Sequence, residues 1–337
     1  MIDILKKLCA PIAVSGYEND VCDIIKTEIA PYCDKIYTDN LGNLYAEKKG
    51  KTAPKSKIML AAHMDEVGFI ITNKTEDGFL KFSSVGGVDP RLYVGKQVVI
   101  KAKEGEVRGV IGMVPMHLLS GDGKTAVMDE DSLYIDVGGC DNLVSLGDTG
   151  VMVGDFEEFG EDKILARALD DRCGCAVLID LLKRELPCDI TAVFTVQEEI
   201  GCRGALVAAQ NVNPDIAIVV DSTTACDIQD IAPDKTVCEV GGGGVVSFMD
   251  RGCAYDRELF SLILKTSEEQ NIPSQLKRAV AGGNDASNIH KSSGGVKTAA
   301  ISLPCRYIHS SGCVIDRKDL YKTADLIFAV LGRLTKL

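Results

Sequence analysis

At 337 residues the chain is long enough for two hydrophobic cores, and its 46% hydrophobic and 26% charged residues are ordinary for a globular protein. A formal charge of −12, with no basic stretch to offset it, argues against any nucleic-acid partner. No run approaches the roughly 20 apolar residues needed to span a bilayer, so no membrane partner is expected.

The first residues, Met1 to Pro11, place charges inside a short apolar run and lack the uninterrupted centre of a secretory signal. Thirteen cysteines are scattered from Cys9 to Cys313 with no Cys-x-x-Cys pair. Buried free thiols in a reducing cytoplasm are the expectation, with no cysteine chemistry.

Ser15-Gly16-Tyr17-Glu18 reads as a helix start, capped by Ser15 or Asn19. Val21, Ile24, Ile25 and Ile29 continue at helical spacing until Pro31. A hairpin is expected from Lys35 to Glu47, then a buried strand from Lys57 to Ala62 running into His63. From about Phe69 to Glu158, short alternating stretches separated by glycine-rich turns predict an all-β unit with little helix. After about Lys163, strands and helices alternate. Asp170-Asp171-Arg172 opens a helix to Leu182; strands at Ile190–Val196, Ile216–Val220 and Thr298–Leu303 follow, with helices near 204–210, 256–271 and 319–334. The expectation is an α/β fold with a mostly parallel-centred sheet flanked by helices, interrupted by an inserted all-β domain. The units are residues 1–66 with 160–337, and residues 67–159 between them.

The stretch Phe194 to Gly201 carries two adjacent acids, Glu198 and Glu199, at the exit of an apolar strand. Strand alternation would point them to opposite faces and give them different jobs. Paired acids at a strand exit serve equally well as a solvated turn, so partners decide. In an open parallel sheet, ligands bind beyond the carboxyl ends of the strands. His63, Glu198, Glu199, Asp221 and His309 all follow such ends, and Asp170 stands at a helix start on the same edge. Two of the four histidines therefore lie beside several carboxylates. Taken singly, Asp170 reads also as an N-cap, Asp221 as a turn acid and His309 as a hydrogen-bonded histidine. Together, acids crowded in one cleft repel and need cations. Imidazole and carboxylate donors suit zinc, cobalt or manganese. His63, Asp170, Glu199, Asp221 and His309 are too many for one tetrahedral catalytic ion, but serve two ions with Asp170 as the bridge. Glu198 is left as a free carboxylate, the position of a general base.

The chain resembles the M42 family of dinuclear metallo-aminopeptidases. The resemblance runs through Ser15-Gly-Tyr-Glu18, Ala62-His-Met-Asp-Glu-Val-Gly68, Val85-Gly-Gly-Val-Asp-Pro-Arg91 and Ala168-Leu-Asp-Asp-Arg172. It continues in Gln197-Glu-Glu-Ile-Gly201, Val220-Asp-Ser222, Gly282-Gly-Asn-Asp-Ala286 and Arg306-Tyr-Ile-His-Ser310. It implies a metallo-exopeptidase-like fold, peptide substrates and two divalent metal ions per subunit. By the same resemblance, His63 and Asp221 bind one metal, Glu199 and His309 the other, and Asp170 bridges. Glu198 is implied as the base, Asp65 as the acid that orients His63, and the Asp170–Asp171 peptide as cis. The inserted β domain is implied at dimer contacts, with dimers assembling into a dodecamer. Departures, at Val88 and at Gly295-Val-Lys297, touch no ligand position.

Two other functions fit part of the pattern. Paired carboxylates also serve glycoside hydrolases of the endoglucanase kind, yet those need no metal, and the chain has no tryptophan for sugar stacking. A non-catalytic, metal-stabilised assembly protein has no use for a free Glu198. Asp285 reads equally as a site neighbour or a turn acid, His117 and His290 as structural or solvent-exposed, and Gly241–Gly244 as a tight loop. The preferred N-terminal residue of a substrate is not legible.

Overall fold

The structure is a computed structural model that describes residues 1–115, 117 and 129–335. Residue 116 and residues 118–128, inside the stretch expected to be β-rich, lie outside the described residues. The chain opens with α1 (Ile2–Cys9) and α2 (Asn19–Ile29), then β1 (Lys35–Thr38), β2 (Leu44–Lys48) and β3 (Ile58–His63). Next come β4 (Gly68–Lys74), β5 (Leu80–Val85), β6 (Gln97–Ala102), β7 (Gly105–Gly112), β8 (Tyr134–Asp136) and β9 (Thr149–Met152). After β10 (Glu157–Phe159) and β11 (Lys163–Ala166) the chain alternates: α3 (Leu169–Lys183), β12 (Ile190–Thr195), α4 (Arg203–Val212), β13 (Ile216–Thr224), β14 (Gly244–Val246). It ends with α5 (Arg257–Gln270), β15 (Ser274–Leu276), α6 (Ala286–Ile289), β16 (Lys297–Cys305), β17 (Cys313–Asp316) and α7 (Arg317–Leu334).

The main sheet is mixed, in the order β1-β2-β12-β3-β13-β16-β14-β15. Its four middle strands, β12, β3, β13 and β16, pair parallel. The hairpin β1–β2 joins β12 antiparallel, and β14 joins β16 antiparallel. Strand alternation splits the core. Ile58, Leu60 and Ala62 of β3 pack with α1, α2, α3, α5 and α7, whereas Met59 and Ala61 pack with α4 and α6. Apolar residues on both faces explain why these strands read as continuous hydrophobic runs. Among the described residues no helix is long and apolar enough to cross a membrane.

The six strands β4 to β9 close into a barrel, ordered β4-β5-β8-β7-β6-β9, around Phe69, Phe82, Tyr93, Val98, Ile100 and Ile135. Closure removes the free edges that short strands would otherwise expose. The last strand of the stretch expected to be β-rich departs from the barrel: β10 pairs with β11, which pairs with β17. It therefore joins a small sheet made with the C-terminal part of the chain.

Several local expectations change. α1 and β4 were not among the predicted elements. Helix α1 buries only Leu5, Leu8 and Cys9, and much of its hold is polar and long-range. The Arg172 guanidinium, itself fully buried, donates through Nη1 to the Leu8 carbonyl, and Arg167 donates to that of Cys9 at 3.1 Å. Glu66 sits between the two arginines, accepting from Arg167 Nη1 and, at 3.2 Å, from Arg172 Nη2. Neither Ser15 nor Asn19 caps α2: Glu18 holds the cap position without a side-chain bond, and Ser15 Oγ donates to Asp65 instead. At α3, Asp170 and Asp171 are non-helical, and it is Asp171 that accepts the Gly174 N–H at 2.9 Å, so Asp170 is no cap. The glycine loop before β14 does turn tightly, and Gly241 and Gly243 aim their N–H groups at the Asp319 carboxylate.

Candidate metal centre

The centre lies where the carboxyl ends of β3, β12 and β13 meet the start of α3 and the loop after β16. Its first histidine, His63, ends β3, and Asp65 lies two residues on, fully buried. β12 stops at Thr195, because Gln197 takes a left-handed conformation at φ 57° that a strand cannot continue through. Glu198 and Glu199 are therefore turn residues, and strand alternation does not separate them. Asp65 does: its two oxygens accept the backbone N–H groups of Glu198 (3.0 Å) and Glu199 (3.1 Å) and fix the turn. Asp221 likewise lies inside β13, opposite Ser302 of β16, rather than just past a strand end at Val220, because pairing with β16 continues to Thr224.

His309 sits between Cys305 and Cys313 in a loop closed by reciprocal bonds between Arg306 and Val314. Arg306 grips Asp227 with a two-pronged ion pair at 2.7–2.8 Å. The peptide Asp170–Asp171 is cis, and Ala168, Tyr307 and His309 all adopt positive φ. Non-glycine residues at positive φ cluster where surrounding structure over-determines the backbone.

Two groups of three potential donors result: His63, Asp170 and Asp221, and Asp170, Glu199 and His309. Within each, the donor atoms lie within 4.8 Å of one another. Asp170 belongs to both. Its Oδ1 lies 3.5 Å from His63 Nε2, and its Oδ2 3.4 Å from His309 Nε2. Asp221 lies 3.8 Å from His63 Nε2, and Glu199 Oε2 lies 3.2 Å from His309 Nε2. Each imidazole is held from behind by an acceptor that cannot donate. His63 Nδ1 meets the Asp65 carbonyl at 3.1 Å, and His309 Nδ1 the Gly87 carbonyl at 2.8 Å. The Nδ1 proton is thereby placed, and both Nε2 atoms face the acids. The Gly87 contact comes from the loop after barrel strand β5; Gly87 lies in the Val85–Arg91 motif, but nothing in that motif points to His309.

The donor set fits divalent metal ions. Asp170 Oδ1 and Glu199 Oε1 are buried and have no hydrogen-bond partner among the described residues. Buried acceptors normally have partners, and orphaned oxygens on carboxylates that also face imidazole nitrogens suit cations. Protonation follows the same logic. Burial opposes a charge on His309, but Asp170 and Glu199 outweigh it and lift its pKa to about 12. Burial lifts Asp221 well above the carboxylate range, reinforced by Asp170 and Asp171.

Glu198 stands apart from both groups and forms a third with Cys202 and Asp285. The Cys202 thiol donates to Glu198 Oε1 at 3.1 Å, and Thr195 Oγ1 donates to Asp285 at 2.5 Å. Burial, joined by Asp285, Glu199 and Asp65 and opposed by His63, raises Glu198 to about 8. Asp285, 1% exposed, is thus a site neighbour rather than a turn acid. His117 is exposed, and His290 spends its Nδ1 on the Ala286 carbonyl of its own helix. Ten of the thirteen cysteines are buried and all are unpaired.

Comparison with known proteins adds an independent line. The model of the M42 glutamyl aminopeptidase family matches residues 42–326. A relative from Acetivibrio thermocellus is 39% identical over 334 residues, 97% of each chain. An aminopeptidase from the archaeon Desulfurococcus kamchatkensis superposes with a TM-score of 0.93 at 33% identity, covering 98% of this chain and 94% of its own. The TET1 peptidase of Pyrococcus horikoshii, which can assemble into a tetrahedron or a large octahedral shell, gives 0.84 at 34% identity, over 97% of this chain and 98% of its own.

Proposed function

The chain belongs to the M42 glutamyl aminopeptidase family, and from that premise we propose that the cluster around Asp170 is the two-metal centre of an enzyme that removes N-terminal residues from peptides. Metal-dependent aminopeptidase activity is the family's, and the donor set described above is suited to divalent metals. The assignment of residues is our reading. His63 and Asp221 would hold one ion, Glu199 and His309 the other, and Asp170 both. The observation that carries it is the division of Asp170, one oxygen toward each histidine. Zinc or cobalt suits these donors best, and manganese is compatible.

Divalent ions held there would act as Lewis acids on the scissile carbonyl and on the attacking water. The chain's own residues then have separate tasks. Glu198, outside both ligand groups, accepts the proton of the attacking water and returns it to the departing amine. Burial of Glu198 beside other acids raises its proton affinity above that of an ordinary carboxylate, the direction such a shuttle needs. Asp65 does not meet the substrate. It holds His63 from behind and pins the Glu198–Glu199 turn.

Around the centre, we read residues 1–66 and 160–337 as the catalytic unit and 67–159 as an inserted dimerisation unit. Likeness to TET1 structures, one of a tetrahedron or large octahedral shell and one of a dodecamer, supports a large assembly, which we read as dimers joined into a dodecamer. Thirteen unpaired thiols fit a reducing cytoplasm. A panel of aminoacyl chromogenic substrates, run after chelation and after adding back zinc, cobalt or manganese, tests the function. Chelator-sensitive release from substrates with a free amine, and none from N-acetylated ones, is expected. A blank panel alongside metal-independent activity on cellulose would overturn it.

A further inference from the structure

Glu198 belongs to neither metal position, yet its carboxylate does not stand alone. Three pieces of the fold meet there: the turn after β12, the residue before α4 and the residue before α6. Potential donor atoms of Glu198, Cys202 and Asp285 lie within 4.8 Å of one another. Backbone contacts hold the grouping. The Cys202 N–H donates to the Glu198 carbonyl at 2.8 Å and closes the turn. Asn288 of α6 donates through Nδ2 to the Gly201 and Cys202 carbonyls, at 3.2 and 2.8 Å, and ties that turn to the Asp285 side.

Cys202 is buried and precedes α4 in a left-handed conformation, at φ 54°, where its side chain caps nothing. Its thiol turns to Glu198 Oε1 instead, at 3.1 Å. Asp285 is 1% exposed. Thr195 Oγ1 engages its Oδ2, but its Oδ1 is buried and has no partner among the described residues. One thiol hydrogen serves Glu198 and leaves that oxygen unanswered. A desolvated carboxylate oxygen beside a second acid and a sulfur is costly unless a cation answers it. Glu198 is only partly buried, which leaves an ion a way in from solvent.

We propose that Glu198, Cys202 and Asp285 form a separate, inhibitory site for one thiophilic divalent cation, zinc or its analogue cadmium. The inhibitory role rests on the reading of Glu198 as the base of an aminopeptidase. The donor set differs from that of the two-metal centre, having a sulfur and no imidazole. Thiolate favours zinc and softer ions, whereas manganese prefers oxygen donors. Three protein donors and one water complete a tetrahedral zinc site. Cys202 binds as the thiolate, and its proton passes to solvent. An ion held there occupies the Glu198 carboxylate, which then takes no proton from the attacking water. Zinc beyond the two catalytic equivalents thus switches off the chain that the first two switch on.

The test titrates the full chain, loaded with two equivalents of cobalt, with cadmium and separately with manganese. Cadmium is expected to add a third equivalent while both cobalt ions stay bound. An ultraviolet cadmium–thiolate band should grow with it, and peptide hydrolysis should fall in step. Manganese at the same excess should give neither band nor inhibition. In Cys202→Ser the band of the third equivalent should vanish. The inhibitory concentration should rise on the order of 100-fold, since even an outer partner of a metal is worth about 10–100-fold in affinity. Asp285→Asn, which keeps an acceptor for Thr195, should raise it as well. Inhibition is read against each variant's own cadmium-free rate, so partial misfolding does not move it. Binding of two ions only, cadmium that merely displaces cobalt, or equal sensitivity in the parent chain and Cys202→Ser would overturn the inference. A third, thiolate-bound cadmium in a chain inactive on every peptide would instead support the site and overturn the aminopeptidase reading, and the inhibitory role with it.

Discussion

Asp65 Oδ2 accepts the backbone N–H of Glu199 at 3.1 Å, so the acid behind one candidate metal position also fixes a ligand of the other. Oδ1 accepts the N–H of Glu198 at 3.0 Å and lies 3.4 Å from His63 Nδ1, and Ser15 Oγ donates to Oδ2 at 2.6 Å. Burial opposes its charge, but His63, Ser15 and the Glu198 amide together hold its pKa below the usual range. Asp65→Ala should weaken metal binding and activity by about 10–100-fold, and each stranded buried donor should cost about 1–3 kcal/mol of stability. Asp65→Asn, which keeps acceptors without the charge, should recover part of the stability. Metal titration and denaturant unfolding check both. Parent-like affinity in Asp65→Ala would contradict the role.

His309 is the sole imidazole in its donor group. His309→Ala is expected to retain about one equivalent of metal by elemental analysis, with His63, Asp170 and Asp221 still in place. Two full equivalents would remove His309 from the ligand set.

Metal affinity should fall as pH falls. In the metal-free chain burial opposes protonation of His63, but Asp170 and Asp65 raise its pKa well above the ordinary value, and His309 is raised to about 12. Glu199 and Asp221 are raised chiefly by burial. Groups with raised pKa values hold protons at neutral pH, and ligands must shed them to bind metal. Asp170 has the opposite sign: burial is outweighed by both histidines, its pKa is lowered, and it has no proton to release. Binding is thus expected to release protons, seen as calorimetric enthalpies that depend on buffer ionisation heat. An affinity flat from about pH 6 to 8 would contradict this.

Glu66 lies 2% exposed between Arg167 and Arg172. Glu66→Ala leaves two buried guanidinium groups without their carboxylate and should destabilise the fold by about 3–5 kcal/mol. Chemical denaturation measures it. A loss below about 1 kcal/mol would mean that the network is relaxed by water.

The strands that position the site were legible because burial on both faces makes each an apolar run, and their ends name His63 and the Glu198–Glu199 turn. The separation of those two acids was legible for the wrong reason: a left-handed Gln197 ends the strand, and Asp65 sorts them. Helix α1 escaped because it is anchored by Arg167 and Arg172, more than 150 residues away in sequence. The Gly87 carbonyl behind His309 and the grouping of Cys202 with Asp285 were equally hidden, since both depend on contacts that no local periodicity encodes. The pairing of β10 with β11 rather than with the barrel is of the same kind.

The proton shuttle is the central claim, and turnover of Glu198→Gln tests it most directly. Glu198 lies outside both donor groups that share Asp170, so the variant should keep two equivalents of metal while kcat falls by about 10²–10⁴-fold. A fully metallated Glu198→Gln chain that hydrolyses peptides at close to the parent rate would contradict the account.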